Sequence, residues 1–104
     1  MNDLRNESSV TVKRSKSHAI YLPTDSLEEV KALLEKRRRK LRKANHHCWA
    51  CRILEPSGNW LEQARDDGEV GRPGHVLLEL LRRQDRSGAL VVSRVFGGVK
   101  LGPG

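Results

Sequence analysis

The chain has 104 residues, 37% of them hydrophobic and only four aromatic, which fits a single domain with a modest, mainly aliphatic core. Twenty basic and 13 acidic residues leave a net charge of +7, and no apolar run is long enough to cross a bilayer, which excludes a membrane-spanning protein. The N-terminal segment lacks the apolar core of a signal peptide, so the two cysteines are expected to be reduced thiols in the cytoplasm.

The predicted strands are alternating or continuous apolar stretches that lie between turn signals. The last strand is apolar enough to lie in the middle of a sheet. The fourth strand is a short hairpin partner, which follows a strong turn at residues 56–59. The strands are expected at residues 9–13, 18–22, 46–54, 60–64 and 89–96.

Two helices are predicted from apolar residues spaced three and four apart. The first helix begins at Thr24 or Ser26, because Ser26 and Glu29 have the spacing of a capping box, and it runs to about Arg39. The order of the elements indicates an α+β fold in which the helices form a layer on one sheet. The second helix covers residues 75–83, and its inward-facing residues are expected to be Val76, Leu77, Leu80 and Leu81.

Four glycines in the last eight residues raise the question of a phosphate-binding loop. The segment 97–104 lacks the G-x-x-x-x-G-K-[ST] pattern, and no helix follows whose N-terminus could face a phosphate. We therefore expect a tight turn with close backbone approach, and no nucleotide or other cofactor.

Cys48 and Cys51 form a C-x-x-C pattern beside His46 and His47, which would suit zinc or redox chemistry. Side chains alternate along a strand, however, so the two thiols are expected on opposite faces of the sheet. We interpret both cysteines as small apolar core residues and predict no metal site.

The segment 66–69, Asp-Asp-Gly-Glu, places three carboxylates within four residues, and His75 could join them. A divalent cation or a general base is chemically feasible there, and a solvated acidic turn is the alternative. Because no serine or cysteine has a base at a fixed spacing, no catalytic residue is assigned. The protein is predicted not to be an enzyme.

The segment 36–43, KRRRKLRK, contains seven cations and no acid, and it accounts for the whole net charge. Such a patch is typical of contacts with RNA, the ribosome or acidic proteins, without base-specific recognition. A solvated helix surface is the alternative. The patch is predicted to consist of Lys36, Arg37, Arg38, Arg39, Lys40, Arg42 and Lys43.

Several segments, in the same order, resemble the IMPACT/YigZ family, whose shared unit is the Impact N-terminal domain. The resemblance covers residues 14 to 102 and divides the chain into an N-terminal extension with the start of the first strand, 1–13, and an IMPACT-type domain, 14–104. The matching segments are 14–19 (RSKSHA), 44–50 (ANHHCWA), 66–69 (DDGE), 71–73 (GRP) and 91–102 (VVSRVFGGVKLG).

The resemblance implies a two-layer α+β sandwich like the second domain of a small-subunit ribosomal protein or domain IV of an elongation factor. It also implies a function, since eukaryotic members bind the ribosome-associated activator of the amino-acid-starvation kinase and block kinase activation. A non-enzymatic translation regulator that binds this protein or the ribosome is therefore expected, with RNA binding, as inferred for bacterial members, as the alternative. The motif positions carried over as binding residues are His46, Cys48, Asp66, Asp67, Glu69, Arg72, Arg94, Gly97 and Gly98.

The chain departs from the family pattern in three places. The loop after the Asp-Asp-Gly-Glu segment is shorter than in relatives, and Cys51 stands where an aromatic residue is common. Relatives also continue past the last strand into another helix. The domain is accordingly expected to be incomplete, and an uncovered apolar sheet face that would support self-association is expected near Ile20, Val91 and Val95.

Overall fold

The computed structural model describes residues 6–12, 15–42, 44, 46–69 and 71–96, and its elements follow the predicted order. Their types agree with the expectation from the sequence, and the boundaries differ by a few residues at most. No helix in these ranges is long and apolar enough to span a membrane. The elements are β1 (Asn6–Val12), β2 (Ser15–Pro23), α1 (Leu27–Lys40), β3 (His46–Leu54), β4 (Trp60–Arg65), α2 (Pro73–Arg83) and β5 (Gly88–Phe96).

Helix α1 begins where its capping signals predict. Ser26 is the N-cap, and its hydroxyl accepts the backbone N–H of Glu29 at 3.2 Å. The Glu29 carboxylate in turn accepts a hydrogen bond from the hydroxyl of Thr24, so both candidate capping residues stabilise this end of the helix. Acidic residues occupy the first turn and basic residues the last, which is the favourable arrangement in the field of the helix dipole.

The strands form one five-stranded sheet in the order β1-β2-β5-β3-β4, and every neighbouring pair is antiparallel. The position of β5 in the middle confirms the expectation drawn from its apolar composition. Val91 of β5 pairs with Ile20 on one side and with Trp49 on the other. This residue is fully buried, so the centre of the core lies at the centre of the sheet.

The two helices pack on opposite faces of the sheet. Val30 and Leu33 of α1 pack on one face, and Leu78 and Leu81 of α2 pack on the other. The α+β class is confirmed, and the helices are divided between two faces instead of sharing the expected single layer. Because the central strands are continuously apolar, both of their faces can be buried. Beneath α1 lie Ile20, Trp49, Cys51, Ile53, Ala89 and Val91, and beneath α2 lie Tyr21, Ala50, Ala64 and Leu90.

This division of the helices fixes the handedness of the connections. Helix α1 joins β2 to β3, and helix α2 joins β4 to β5, and each connection links parallel strands separated by one intervening strand. Rotating one connection by 180° about the normal of the sheet superimposes its strands on those of the other. This rotation does not move a helix to the other face, so two helices on the same face would give crossovers of the same hand. Because the helices lie on opposite faces, the two crossovers have opposite hands. One of the two crossovers therefore has the rare left hand.

The uncovered apolar surface lies on a different face from the one expected. Ile20 and Val91 are only 1% and 0% exposed, because α1 covers them. Val76 and Leu80 of α2, which were expected to face inward, are instead 54% and 41% exposed. Helix α2 buries the stripe formed by Gly74, Leu78 and Leu81, which turns its other apolar side toward solvent above β2 and β5.

Candidate binding site at the end of the central strands

The sheet register brings most of the family motif positions to one end of the molecule. His46 pairs with Arg94 across β3 and β5, and Cys48 pairs with Val92. The Asp-Asp-Gly-Glu loop follows the end of β4, which is the neighbour of β3, and it lies at the same end of the sheet. The structure therefore brings together six of the motif positions, namely His46, Cys48, Asp66, Asp67, Glu69 and Arg94.

Asp66 connects this loop to the beginning of α2. One oxygen of its carboxylate accepts the backbone N–H of Gly74 at 2.8 Å, in the first turn of the helix, where backbone N–H groups otherwise lack partners. Its carbonyl oxygen lies 3.2 Å from the thiol of Cys48, which donates to it. The N-cap residue Arg72 makes no side-chain cap and has a left-handed φ of 52°, so Asp66 supplies the cap from outside the helix.

Asp67 and Glu69 are each held by a different partner. The Asp67 carboxylate accepts the backbone N–H of His47 at 2.7 Å, and its carbonyl oxygen lies 2.8 Å from Nδ1 of His46. Glu69 pairs with the guanidinium of Arg94 at 2.7 Å, and the Glu69 side chain is only 13% exposed. The three carboxylates therefore bind three different elements: Asp66 binds α2, Asp67 binds β3 and Glu69 binds β5. The loop thus connects these elements through its side chains.

The described residues contain no group of three or more His, Cys, Asp or Glu side chains that could hold a metal ion. Cys48 and Cys51 are both free thiols, and they lie on opposite faces of the sheet, as the alternation along β3 predicts. Burial and the nearby carboxylates, with Glu69 first among them, raise the pKa of Cys48 to about 11. Burial also raises the pKa of Cys51, so both thiols are poor nucleophiles near neutral pH.

An apolar groove, here called the α2 groove, runs between α2 and the exposed parts of β2 and β5. Near the motif positions it opens a hollow of about 290 Å³, and farther along α2 a second hollow of about 270 Å³. The lining of the first includes Cys48, Glu69, Pro73, Val76, Leu77 and Arg94, and the second is lined by Tyr21, Leu80, Leu81, Gln84, Arg86 and Leu90.

The sequence did not reveal this groove, although one signal for it was present. The apolar residues of α2 occupy too many helical positions for one buried stripe, so some of them had to face another surface. Which residues did so depended on Gly74, because a side chain there would collide with the backbone of Arg65. The close contact at Gly74 fixes the buried side of α2 and leaves Val76 and Leu80 exposed.

The predicted basic patch is altered by the burial of one arginine. Arg37 is only 5% exposed and belongs to the buried side of α1, so it is not part of a surface patch. Helix α1 ends at Lys40, with Leu41 as its C-cap. Lys43, Gly97 and Gly98 lie outside the described residues. The exposed cations of the patch are Lys36, Arg38, Arg39, Lys40 and Arg42.

A small polar cluster beneath the end of α1 was also not predicted. The side chains of His47 and Ser93 face each other on neighbouring strands, with Nδ1 of His47 lying 2.7 Å from the Ser93 hydroxyl, which is fully buried. Burial lowers the pKa of His47. Asp67 acts in the opposite direction, and the charges of Arg38 and Arg37 lower the pKa further.

The lowered pKa of His47 predicts a loss of stability in mild acid. The folded chain binds fewer protons at this site than the unfolded chain, whose histidine titrates near its ordinary pKa of about 6.5. The contribution of His47 is therefore complete above about pH 6.5, and it is lost as the pH falls from there toward the lower folded pKa. We expect the urea midpoint to fall between pH 7.5 and pH 5.5, and we expect a smaller fall for His47→Asn.

The matched control for this measurement is His75→Asn, since His75 is an exposed histidine at the start of α2. This variant keeps the His47 side chain, so the part of the fall in the urea midpoint that depends on His47 is expected to remain. An equal fall of the urea midpoint for His47→Asn and the original chain would mean that His47 does not resist protonation in the folded state.

Comparison with known proteins identifies the family. The family model of the Impact N-terminal domain matches residues 13–104. The chain is 36% identical over 104 residues to the protein IMPACT homolog of Schizosaccharomyces pombe, covering 97% of this chain and 37% of that protein. It is 33% identical over 97 residues to the protein IMPACT of Homo sapiens, covering 90% of this chain and 31% of that protein. The chain thus spans about a third of the length of these relatives.

Two solved structures are similar to this fold. One, described as the crystal structure of a hypothetical protein, has a TM-score of 0.80 and 29% identity, covering 90% of this chain and 47% of that one. The other is the two-domain translational regulator Yih1, with a TM-score of 0.68 and 34% identity, covering 91% of this chain and 38% of that one. On the match of its sequence from residue 13 to residue 104, this chain belongs to the Impact N-terminal domain family.

Proposed function

We propose that this chain is a non-enzymatic docking domain that acts in the cytoplasm in the regulation of translation. Its partner is the ribosome-associated activator of the amino-acid-starvation kinase, for which it competes with the kinase. The observation that carries the proposal is the 34% identity and the TM-score of 0.68 to the two-domain translational regulator Yih1 over 91% of this chain. The family match over residues 13–104 supports the same assignment.

The geometry of the motif positions supports binding in preference to catalysis. Asp66 caps α2, Asp67 holds the start of β3, and Glu69 pairs with Arg94, so all three carboxylates of the loop have structural partners. A general base would instead need a carboxylate directed at a substrate. The motif positions therefore shape the end of the α2 groove and do not supply reactive groups to it.

The α2 groove is the surface on which we place the partner. Its α2 wall runs from Pro73 to Gln84, about 16 Å of helix, which matches three turns of a docked helix. Arg72 and Arg86 are exposed near its two ends, while Glu69, the only acid among the described residues that line it, is already paired with Arg94. The groove is thus complementary to an amphipathic helix of the activator that has acidic residues beside its apolar face.

A binding measurement with the purified activator tests this assignment. The double variant Val76→Glu, Leu80→Glu replaces the apolar wall of the groove with charges that repel an acidic partner. We expect its affinity for the activator to fall at least about tenfold, which corresponds to about 1.4 kcal/mol. The control is Leu54→Glu, because Leu54 is 39% exposed, close to the 41% of Leu80, and lies at the far end of β3. Its affinity is expected to remain unchanged.

The possible results test separately whether the chain binds the activator and whether the α2 groove is the surface that binds it. If the original chain fails to bind the activator or to displace the kinase from it, the proposed function is wrong. If it binds but the groove variant binds equally well, the partner docks elsewhere. If sedimentation shows that the original chain is a dimer and that the groove variant is a monomer, a second copy of the chain occupies the groove instead of the activator.

A further inference from the structure

The end of α1 carries a concentrated positive charge on the face of the sheet opposite the α2 groove. Its members, here called the cationic end of α1, are exposed. The one acid in the sequence from residue 30 to residue 42 is Glu35, which pairs with Arg39 at 3.6 Å. Both partners of that pair are largely exposed to solvent, so the pair is weak. The members are Lys36, Arg38, Arg39, Lys40 and Arg42.

The burial of Arg37 fixes how these cations are arranged. Successive residues of an α-helix are rotated by about 100°, and with Arg37 directed inward, Arg38 and Lys36 lie on the two flanks and Arg39 lies on the outer side. Lys40 falls on the same flank as Lys36. The cations therefore surround every side of the helix that does not face the sheet, and like charges this close repel one another unless an anion neutralises them.

The composition of this surface favours a nucleic acid over an acidic protein. Protein interfaces depend on apolar and aromatic anchors in a desolvated centre, whereas all five members of the cationic end are basic, and no exposed aromatic residue lies in the described part of the segment 36–44. Three of the five are arginines, whose planar guanidinium groups bind phosphate oxygens through two hydrogen bonds. Without aromatic stacking residues, such a surface can contact the backbone but cannot read bases.

We propose that the cationic end of α1 binds the phosphate backbone of RNA without regard to base sequence, with Arg38, Arg39 and Arg42 as the main contacts. Since α1 and α2 lie on opposite faces of the sheet, RNA on the cationic end does not block the α2 groove. The domain can hold a protein partner and RNA at the same time. This inference does not depend on the docking function, because it uses a different surface.

The salt dependence of RNA binding tests the proposal. Fluorescence anisotropy with a mixed-sequence 20-nucleotide RNA duplex is measured between 50 and 200 mM KCl. If three arginines each neutralise one phosphate, the slope of log K against log salt is about −0.9 × 3, or −2.7. Affinity then falls about 40-fold over this fourfold range of salt. A second duplex of the same length and unrelated sequence is expected to bind equally well.

Matched charge variants localise the site. The triple variant Arg38→Gln, Arg39→Gln, Arg42→Gln is expected to lose most of the affinity and to bring the slope close to zero. The control Lys31→Gln, Arg65→Gln, Arg83→Gln removes the same number of exposed charges elsewhere, and it is expected to retain the slope. Circular dichroism checks that both variants keep the helical content of the original chain.

Three results would overturn the proposal. The first is equal RNA affinity for the triple variant and its charge-matched control, which would show that only the net charge matters. The second is poly-glutamate that competes as effectively as RNA at the same salt, which would assign the surface to acidic proteins. The third is no RNA binding at 50 mM KCl. The groove variant Val76→Glu, Leu80→Glu is expected to bind RNA normally, which separates this test from that of the docking function.

Discussion

Replacing Gly74 with alanine is expected to destabilise the fold by about 3 kcal/mol, at the upper end of the range for overpacked sites. A Cβ atom at this position would lie 2.4 to 2.7 Å from the carbonyl oxygen, carbon and nitrogen of Arg65. These are backbone atoms of β4, so α2 must move away from the strand as a whole. Alanine would gain up to about 1 kcal/mol in helix propensity, which is too little to offset the clash.

Thermal unfolding measures this effect directly. For a domain of this size, 3 kcal/mol corresponds to a decrease in Tm of about 12–24 °C. The control is His75→Ala in the same turn of α2, whose side chain is exposed, and its Tm is expected to change little. If Gly74→Ala melts within a few degrees of the original chain, α2 does not approach β4 as closely as described.

Substituting alanine at Leu81 and at Leu80 is expected to give very different results, although the two residues are adjacent and chemically identical. Leu81 is 2% exposed on the side of α2 that packs on the sheet, and Leu80 is 41% exposed where α2 lines the groove. Leu81→Ala leaves a cavity and should cost about 2–5 kcal/mol in the free energy of unfolding. Leu80→Ala removes a side chain that is already partly hydrated and should cost less than about 1 kcal/mol.

Urea denaturation of both variants checks the orientation of α2. A large loss for Leu81→Ala alone supports the buried stripe that Gly74, Leu78 and Leu81 form. Equal losses for the two variants would mean that Leu80 is also buried. In that case the α2 groove would not be open in solution, and the proposed partner could not dock there.

The local signals of the sequence correctly predicted most of the elements and several of their details. Ser26 and Glu29 set the start of α1, because a capping box acts between residues three apart and needs no tertiary contact. The alternation along β3 placed Cys48 and Cys51 on opposite faces, since the period of two is a property of the strand itself. The order of the elements and the central position of β5 followed from the same kind of information.

The assembly of the candidate site depended on contacts between distant segments. Glu69 pairs with Arg94, and Asp67 holds the backbone of His47, but no local pattern shows that these residues meet. The family motifs marked the same positions without indicating what they do there. Only the register of β3 against β5 explains why an acidic loop and the end of a central strand contribute to one surface.

By itself, the sequence determined where helices and strands form, because hydrogen bonding and side-chain periodicity along a short segment decide this. The tertiary structure decided which side of each helix is buried. The spacing of the apolar residues in α2 is compatible with Val76 and Leu80 facing the sheet. The close contact of Gly74 with β4 excludes that orientation, and both side chains are exposed. In the sequence, Arg37 belongs to a run of basic residues that was predicted to be exposed. In the structure, α1 packs on the sheet with Arg37 on its buried side. Periodicity specifies which residues share a face, whereas only packing specifies what covers that face.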